Sequence, residues 1–355
     1  MIKRIALICV SMIIVTHAHA FKLSPEGTEW DRMRDKIVDY SFWDGIVVGN
    51  VEHFTEAVHE EITNRILGCN AEDCGNPDLF MKPALIAGVR WNDDPPFRLK
   101  STVSDYKKCT NKTITFITDA VCWARIFFYT EGFVKGRVYP TEFSPESLMQ
   151  RSHFGDLQFL HAMASSYEET AGVTQGKIMM WAEFTWRVAM KEYPFSTKLT
   201  DITITGFKEA FGKTGGSIQD LFARSNLPLQ NLVDEVAFGS LLHMIQDSFS
   251  RSHVLRGETQ MGDACSTGEP KPGIIEEFYS YKDQNHKEHS KLDSRKGLKE
   301  HKLENPNVID VGRNLYKYYI NKQSWETVKP FLDCIFTIED ATRKATAGSG
   351  KLADK

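Results

Sequence analysis

LLHMIQDSFSRSHVLR, residues 241–256, sets two histidines and an aspartate inside an apolar run patterned as a helix. His243 and Asp247 stand four residues apart, so on a helix they share a face and can hold one ion or two adjacent ions. His253 follows six residues later, past the expected helix end, where the chain can fold back toward the same cavity. A lone histidine in an apolar run is ordinarily a hydrogen-bonded core residue. Three polar groups flanked by Leu241, Leu242, Met244 and Ile245 weigh against that reading.

The spacing recurs downstream. In NHKEHSKLD, residues 285–293, His289 and Asp293 are again four apart, although a solvated face of this charged segment would carry the same residues. Upstream, His59 opens HEEITNRIL, Asp93 lies in WNDDPP and His153 opens HFGDLQFLHAM. Each alone reads as structural or surface; their order with the later pairs carries the information. Imidazole and carboxylate together are a zinc-type donor set.

The 355 residues, 41% hydrophobic and 25% charged, suffice to bury a large core. Residues 1–20, MIKRIALICVSMIIVTHAHA, combine Lys3 and Arg4, an apolar run from Ile5 to Val15, and the small residues Ala18 and Ala20. That is the pattern of a signal peptide cleaved before Phe21, for a secreted or periplasmic protein. In an oxidising compartment the remaining cysteines, Cys69, Cys74, Cys109, Cys122, Cys265 and Cys334, suggest disulfides. Fifteen pairings are open, with Cys69–Cys74 and Cys109–Cys122 the local choices. None lies in a Cys-x-x-Cys pair, which argues against a thiolate zinc or redox site. With Lys3 and Arg4 gone from the 43 basic residues, the 47 acidic ones leave the mature chain near −6. That balance does not favour a long polyanion held on a basic surface.

Helical patterning over residues 28–40, 50–67, 148–192, 232–250 and 312–336 predicts a mainly α fold, a single helical domain over residues 21–340. Residues 113–130, TITFITDAVCWARIFFYT, are rich in β-branched and aromatic types and read as strand. They fall in an irregular or β-containing insert from about residue 95 to 150. Residues 341–355 lack apolar periodicity and read as a disordered tail. No segment after the leader is apolar for long enough to cross a membrane.

HMIQDSFSRSH carries the order His, three residues, Asp, five residues, His, and HSKLD follows with His-x-x-x-Asp. With HEEITNRIL, GVRWNDDP and SHF before them, the sequence resembles the secreted zinc-dependent phospholipases C and the related single-strand-specific nucleases. The likeness covers mainly residues 50–95, 150–165 and 235–295, and it implies a helical domain holding three zinc ions in a cleft. Carried over, His59, Asp93, His153, His243 and Asp247 would build a two-metal centre with Asp247 bridging, and His253, His289 and Asp293 would hold the third zinc. In that family the mature chain opens with a tryptophan that ligates zinc through its amino group and carbonyl. Here the expected start is Phe21, and Trp30 and Trp43 are internal. A second cleavage, Phe21 itself, or a side chain such as His53 are the alternatives.

The activity so implied is phosphodiester hydrolysis, with Asp93 as the candidate to orient water or act as general base. The favoured substrate is a phospholipid of the phosphatidylcholine type at a membrane surface, cleaved to diacylglycerol and a phosphorylated headgroup. WNDDPP and HMIQDSFSRSH look closer to secreted bacterial phospholipases than to the nucleases, and the mature chain is acidic. Trp123, Phe127, Phe128 and Tyr129 would suit a bilayer interface if exposed. Phe154 could stack on a base or pack on a lipid headgroup. A nuclease acting on single-stranded nucleic acid and a non-catalytic, metal-stabilised binding protein are the other readings.

Overall fold

The computed structural model describes residues 22–23, 56–99, 109–110, 112–135, 143–260, 262–301 and 304–352. The expected signal peptide, the helix over residues 28–40, Phe21, Trp30, Trp43 and His53 lie outside them. The described chain is mainly helical, with two short antiparallel strand pairs, as the patterning predicts. Among the described residues no helix is long and apolar enough to cross a membrane.

In chain order the α-helices are α1 (Val58–Ile66), α2 (Pro83–Trp91), α3 (Ala120–Lys135), α4 (Leu148–Phe154), α5 (Ala171–Ala189), α6 (Phe207–Phe211), α7 (Ile218–Ala223), α8 (Val233–Asp247), α9 (His286–Leu292), α10 (Arg295–His301), α11 (Val308–Ile320) and α12 (Trp325–Ile335). Strand β1 (Phe97–Arg98) pairs with β2 (Thr113–Ile114), and β3 (Val254–Arg256) with β4 (Ile275–Phe278).

Helix α8 is the axis of the molecule. Every residue on it but Glu235 is buried, as expected of a helix packed on all sides. It crosses α2 at two glycines. A Cβ on Gly88 would lie 2.2 Å from the Val236 carbonyl oxygen, and one on Gly239 would lie 2.3 Å from that of Leu85. Only glycine permits this backbone contact, and the contact brings Asp93, just past the end of α2, beside the last turns of α8. Asn92 locks the crossing: its Nδ2 donates to the Leu160 carbonyl, and its Oδ1 accepts from Ser240 Oγ, which in turn accepts from Trp181 Nε1 on α5.

Several expectations change. Residues 120–135 are helix rather than strand, because Trp123, Ile126, Phe127 and Thr130 fall on one buried helical face and the Asp119 carboxylate caps the Cys122 N–H. Helical burial overrides the strand propensity of the residues. Trp123 and Phe127 are fully buried and stack on one another, so these two rings do not serve as a bilayer anchor. Of the expected helix over residues 50–67 the described part is helical over Val58–Ile66, residues 50–55 lying outside the described residues, and that over 312–336 is two helices, α11 and α12, parted by a turn in which Lys322 takes a left-handed φ of 52°.

The supposed tail is ordered through residue 352. Thr346 donates from its N–H and hydroxyl to Glu277, the Leu352 carbonyl accepts from the Asn285 N–H, and Ala345, Ala347 and Leu352 are buried. Polar and main-chain bonds hold it, which hydrophobic periodicity does not register. Three disulfides, Cys69–Cys74, Cys109–Cys122 and Cys265–Cys334, pair all six cysteines, including both local choices.

Candidate metal centre

Several elements converge on the end of α8. Helix α1 contributes His59, the turn after α2 contributes Asp93, and α8 itself contributes His243 and Asp247. Helix α4 brings His153, and the short 3-10 turn at Gln158–His161 brings His161. After α8 the chain turns through Ser248–Ser252 and delivers His253 at the start of β3, where α9 adds His289 and its C-terminal Asp293. The donor atoms form three sets, each within 4.8 Å: His59, His243 and Asp247; Asp93, His153 and His161; His253, His289 and Asp293. All nine residues are buried.

Five of the rings are held the same way. Nδ1–H donates to a carbonyl oxygen: His59 to Gln246 Oε1 at 2.6 Å, His153 to Met149 at 2.9 Å, His243 to Val89 at 2.6 Å, His253 to His161 at 2.7 Å and His289 to Gln284 Oε1 at 2.5 Å. Such a bond fixes the tautomer with the Nε2 lone pair turned inward, the arrangement characteristic of metal-ligating histidine.

The carboxylates are placed to match. Asp247 Oδ1 lies 3.4 Å from His59 Nε2, while its Oδ2 lies 2.9 Å from His243 Nε2 and 2.9 Å from His161 Nδ1. Its two oxygens therefore face different donors, as a bridging carboxylate requires. Asp293 Oδ1 accepts from the hydroxyls of Ser250 and Ser252, and its Oδ2 stands 2.8 Å from His289 Nε2 and 3.5 Å from His253 Nε2. Asp93 sits between sets, with Oδ1 3.6 Å from His161 Nδ1 and Oδ2 3.8 Å from His59 Nε2.

The residues fit metal ions. The buried Nε2 atoms of His161, His253 and His289, with Asp247 Oδ1 and Asp293 Oδ2, make no hydrogen bond, and burying such atoms unsatisfied would be costly. Cations shared among them would account for both the burial and the close approach of lone pairs. Each set, two imidazoles and one carboxylate, is a nitrogen and oxygen donor group that could hold an ion and leave a position open.

The chain's own charges are already polarised. Burial works against ionising Asp247, yet the charges of His243 and His253 hold it well below the ordinary carboxylate range. Asp293 is likewise depressed: burial opposes its ionisation, and His289 and His253 outweigh it. Burial also disfavours charge on His253, but Asp247 and Asp293 raise it to about 9. His243 is lowered by burial and by the neighbouring His59, whose ring stacks on it at 3.9 Å.

All eight ligand residues expected from the sequence therefore lie at one site. His161 joins them without a carboxylate at helical spacing to mark it in the sequence, although its apolar flanks Phe159 and Leu160 resemble those of His243. The positioning residues Gln246, Gln284, Ser250 and Ser252 carried no sequence signal. Phe154 is buried, packed against Phe127 and edge-on to Tyr281, so it presents no open stacking face. A narrow cleft of about 10 Å³ lies over the cluster, lined by Ser152, His153, Gln158, His161, Met163, His253, Tyr281 and His289. No protein-family model, curated protein sequence or solved structure matches the chain.

Proposed function

We propose that the chain is a secreted three-zinc phosphodiesterase of the phospholipase C type, acting on phosphatidylcholine-like lipids. The observation that carries the reading is the grouping of nine buried residues into three sets of two histidines and one aspartate, with the Asp247 carboxylate divided between donors. When bound, zinc ions at such sets supply Lewis-acid charge stabilisation and water activation near neutral pH. His59, His243, Asp247, Asp93, His153 and His161 would hold two of them, and His253, His289 and Asp293 the third. The main chain of Lys22 supports a mature amino terminus at Phe21. Its N–H donates to the Asp293 carbonyl and its carbonyl accepts from the His59 N–H, so the residue following Phe21 is tied between two ligands.

Asp93 is the residue we assign to orient the attacking water and take its proton, since it stands between sets with both oxygens near donors. Tyr281 lines the cleft, and burial together with the Asp293 charge keeps its phenol protonated. The lipid preference rests on the WNDDPP and HMIQDSFSRSH resemblance and the acidic balance; the burial of Trp123 and Phe127 withdraws part of the aromatic argument. Export follows from the leader pattern, and three disulfides are compatible with an oxidising compartment.

The test is parallel turnover of phosphatidylcholine vesicles and single-stranded DNA by zinc-loaded and chelated protein, with metal analysis. Release of phosphorylcholine that chelation abolishes is expected. DNA cleavage alone would make the protein a nuclease, and bound zinc with neither activity would make it a binding protein.

A further inference from the structure

Ala87, Arg90, Trp91 and Asp94 run along a face of α2 and its exit turn other than the one that Gly88 and Asn92 present to α8. With α7 and the loop after it, this face encloses a cavity of about 60 Å³. It shares no residue with the cleft over the metal cluster or with the nine residues of the three sets. Its charged side chains are Arg90, Asp94 and Arg224, and Trp91 and Phe222 wall it. Pockets for drug-sized ligands run to about 300–1,000 Å³, so this one suits only a small guest.

The charges on its wall do not cancel. Arg90 and Asp94 are buried and already engaged: Arg90 Nη1 stands 2.5 Å from Glu60 Oε1, which does not line the cavity, and Asp94 Oδ1 accepts the Phe116 N–H at 2.7 Å. Arg224 is different. Half-buried at the end of α7, it has no ion-pair partner among the described residues, and its guanidinium makes one hydrogen bond, a 3.3 Å contact from Nε to the Asp220 carbonyl of its own helix. Burial lowers this guanidinium from the ordinary arginine value and the positive Arg98 adds to the effect, against Asp220 and Glu146. Two guanidinium groups facing one carboxylate leave the cavity positive, and a charge unneutralised at a partly dry wall is costly. Forked N–H donors match pairs of oxygens, which makes an oxyanion the natural guest. Asn226 commits its Oδ1 to the Leu229 N–H, so its Nδ2 is a further donor on the wall.

We propose that this cavity binds a small oxyanion of the phosphate class, held by Arg224 and Arg90 with Asn226, at a site separate from the metal centre. Its walls belong to the elements that carry the candidate ligands: Asp94 follows Asp93, and Arg90 is paired with Glu60, which follows His59. An anion that draws on Arg90 therefore bears on α1 and on the exit turn of α2 together. Free phosphate and a phosphomonoester share this chemistry.

The test titrates inorganic phosphate, and separately phosphorylcholine, into zinc-loaded wild type and Arg224→Gln by calorimetry, with excess metal removed and circular dichroism as the folding control. Any anion held at the metal centre is common to both proteins, so their difference isolates the cavity. Wild type should bind one phosphate that Arg224→Gln binds about 10–100-fold more weakly. Identical isotherms would overturn the proposal and leave the cavity to water. The same loss with phosphorylcholine would make a phosphomonoester the guest, and a loss with phosphate alone would make it the free anion. Should Arg224→Gln not fold, wild type decides: phenylglyoxal is applied with and without phosphate, and the modified arginines are located by peptide mass. Phosphate should shield Arg224 and leave the exposed Arg251 reactive, and equal modification of Arg224 in both samples would overturn the proposal. Neither measurement reads turnover, so failure of the phosphodiesterase reading would leave this site standing.

Discussion

Gln246→Leu separates what the polar surround does for the metal from what it does for the fold. Gln246 is fully buried on α8; its Oε1 accepts the His59 Nδ1–H at 2.6 Å and its Nε2 donates to Thr63 Oγ1 at 2.9 Å, both across to α1. Leucine is close in size and removes both bonds. The His59 Nδ1–H left without an acceptor costs about 1–3 kcal/mol of stability. Separately, a ligating imidazole that loses its outer partner binds metal about 10–100-fold more weakly, or about 1.4–2.7 kcal/mol. Melting in excess chelator reads the first effect alone, and competition with a chromophoric chelator reads the second. The expected result is a lower melting temperature in chelator and one ion released at 10–100-fold lower competitor. A lower melting temperature with the competition curve unmoved would refute the reasoning, and His59 would be a packing residue.

Asp93→Asn should lower turnover by about 10²–10⁴-fold with the ions retained, and unchanged turnover would remove the general-base role. Gly239→Ala should destabilise by about 1–3 kcal/mol, because the new Cβ meets the Leu85 carbonyl oxygen at 2.3 Å and pries α2 from α8; an unshifted denaturant midpoint would contradict the close crossing. In chelated protein the histidines set the pH slope above their ordinary value of 6.5. Burial opposes charge on His253 and His59, yet their carboxylate neighbours raise both, His253 to about 9. Their stabilisation is complete below pH 6.5 and is lost as the pH rises through their raised values, about 9 for His253, while His243 and His289, both lowered, contribute no such loss above pH 6.5. Chelated protein should therefore melt lower at pH 9 than at pH 6.5. Metal-loaded protein should not, because ligation holds the rings deprotonated; a flat chelated profile would contradict the charge placement.

What was legible in the sequence were the features that repeat at short range. His243 and Asp247, and His289 and Asp293, announce a shared helical face because four residues make nearly one turn. Apolar periodicity likewise marked α8, and proximity in sequence marked two of the disulfides. Residues 113–130 misled because propensity is a weak local preference, whereas the burial of Trp123 and Phe127 is decided by what packs against them. The ordered stretch through residue 352 has no periodic apolar pattern, because hydrogen bonds to Glu277 and Asn285 hold it together with only a few buried side chains, Ala345, Ala347 and Leu352.

The amino-acid sequence by itself determined the donor types and most of their identities, since imidazole and carboxylate at fixed helical spacing can be read without coordinates. Only the tertiary structure decided how they are shared. The glycine-to-glycine crossing of α2 and α8, the left-handed turn at Ala162 and the serine pair behind Asp293 act between segments far apart in the chain. That is why His161, a histidine in an apolar run like any other in sequence, acquires its place only when Asn92 and His253 fix the backbone on either side of it.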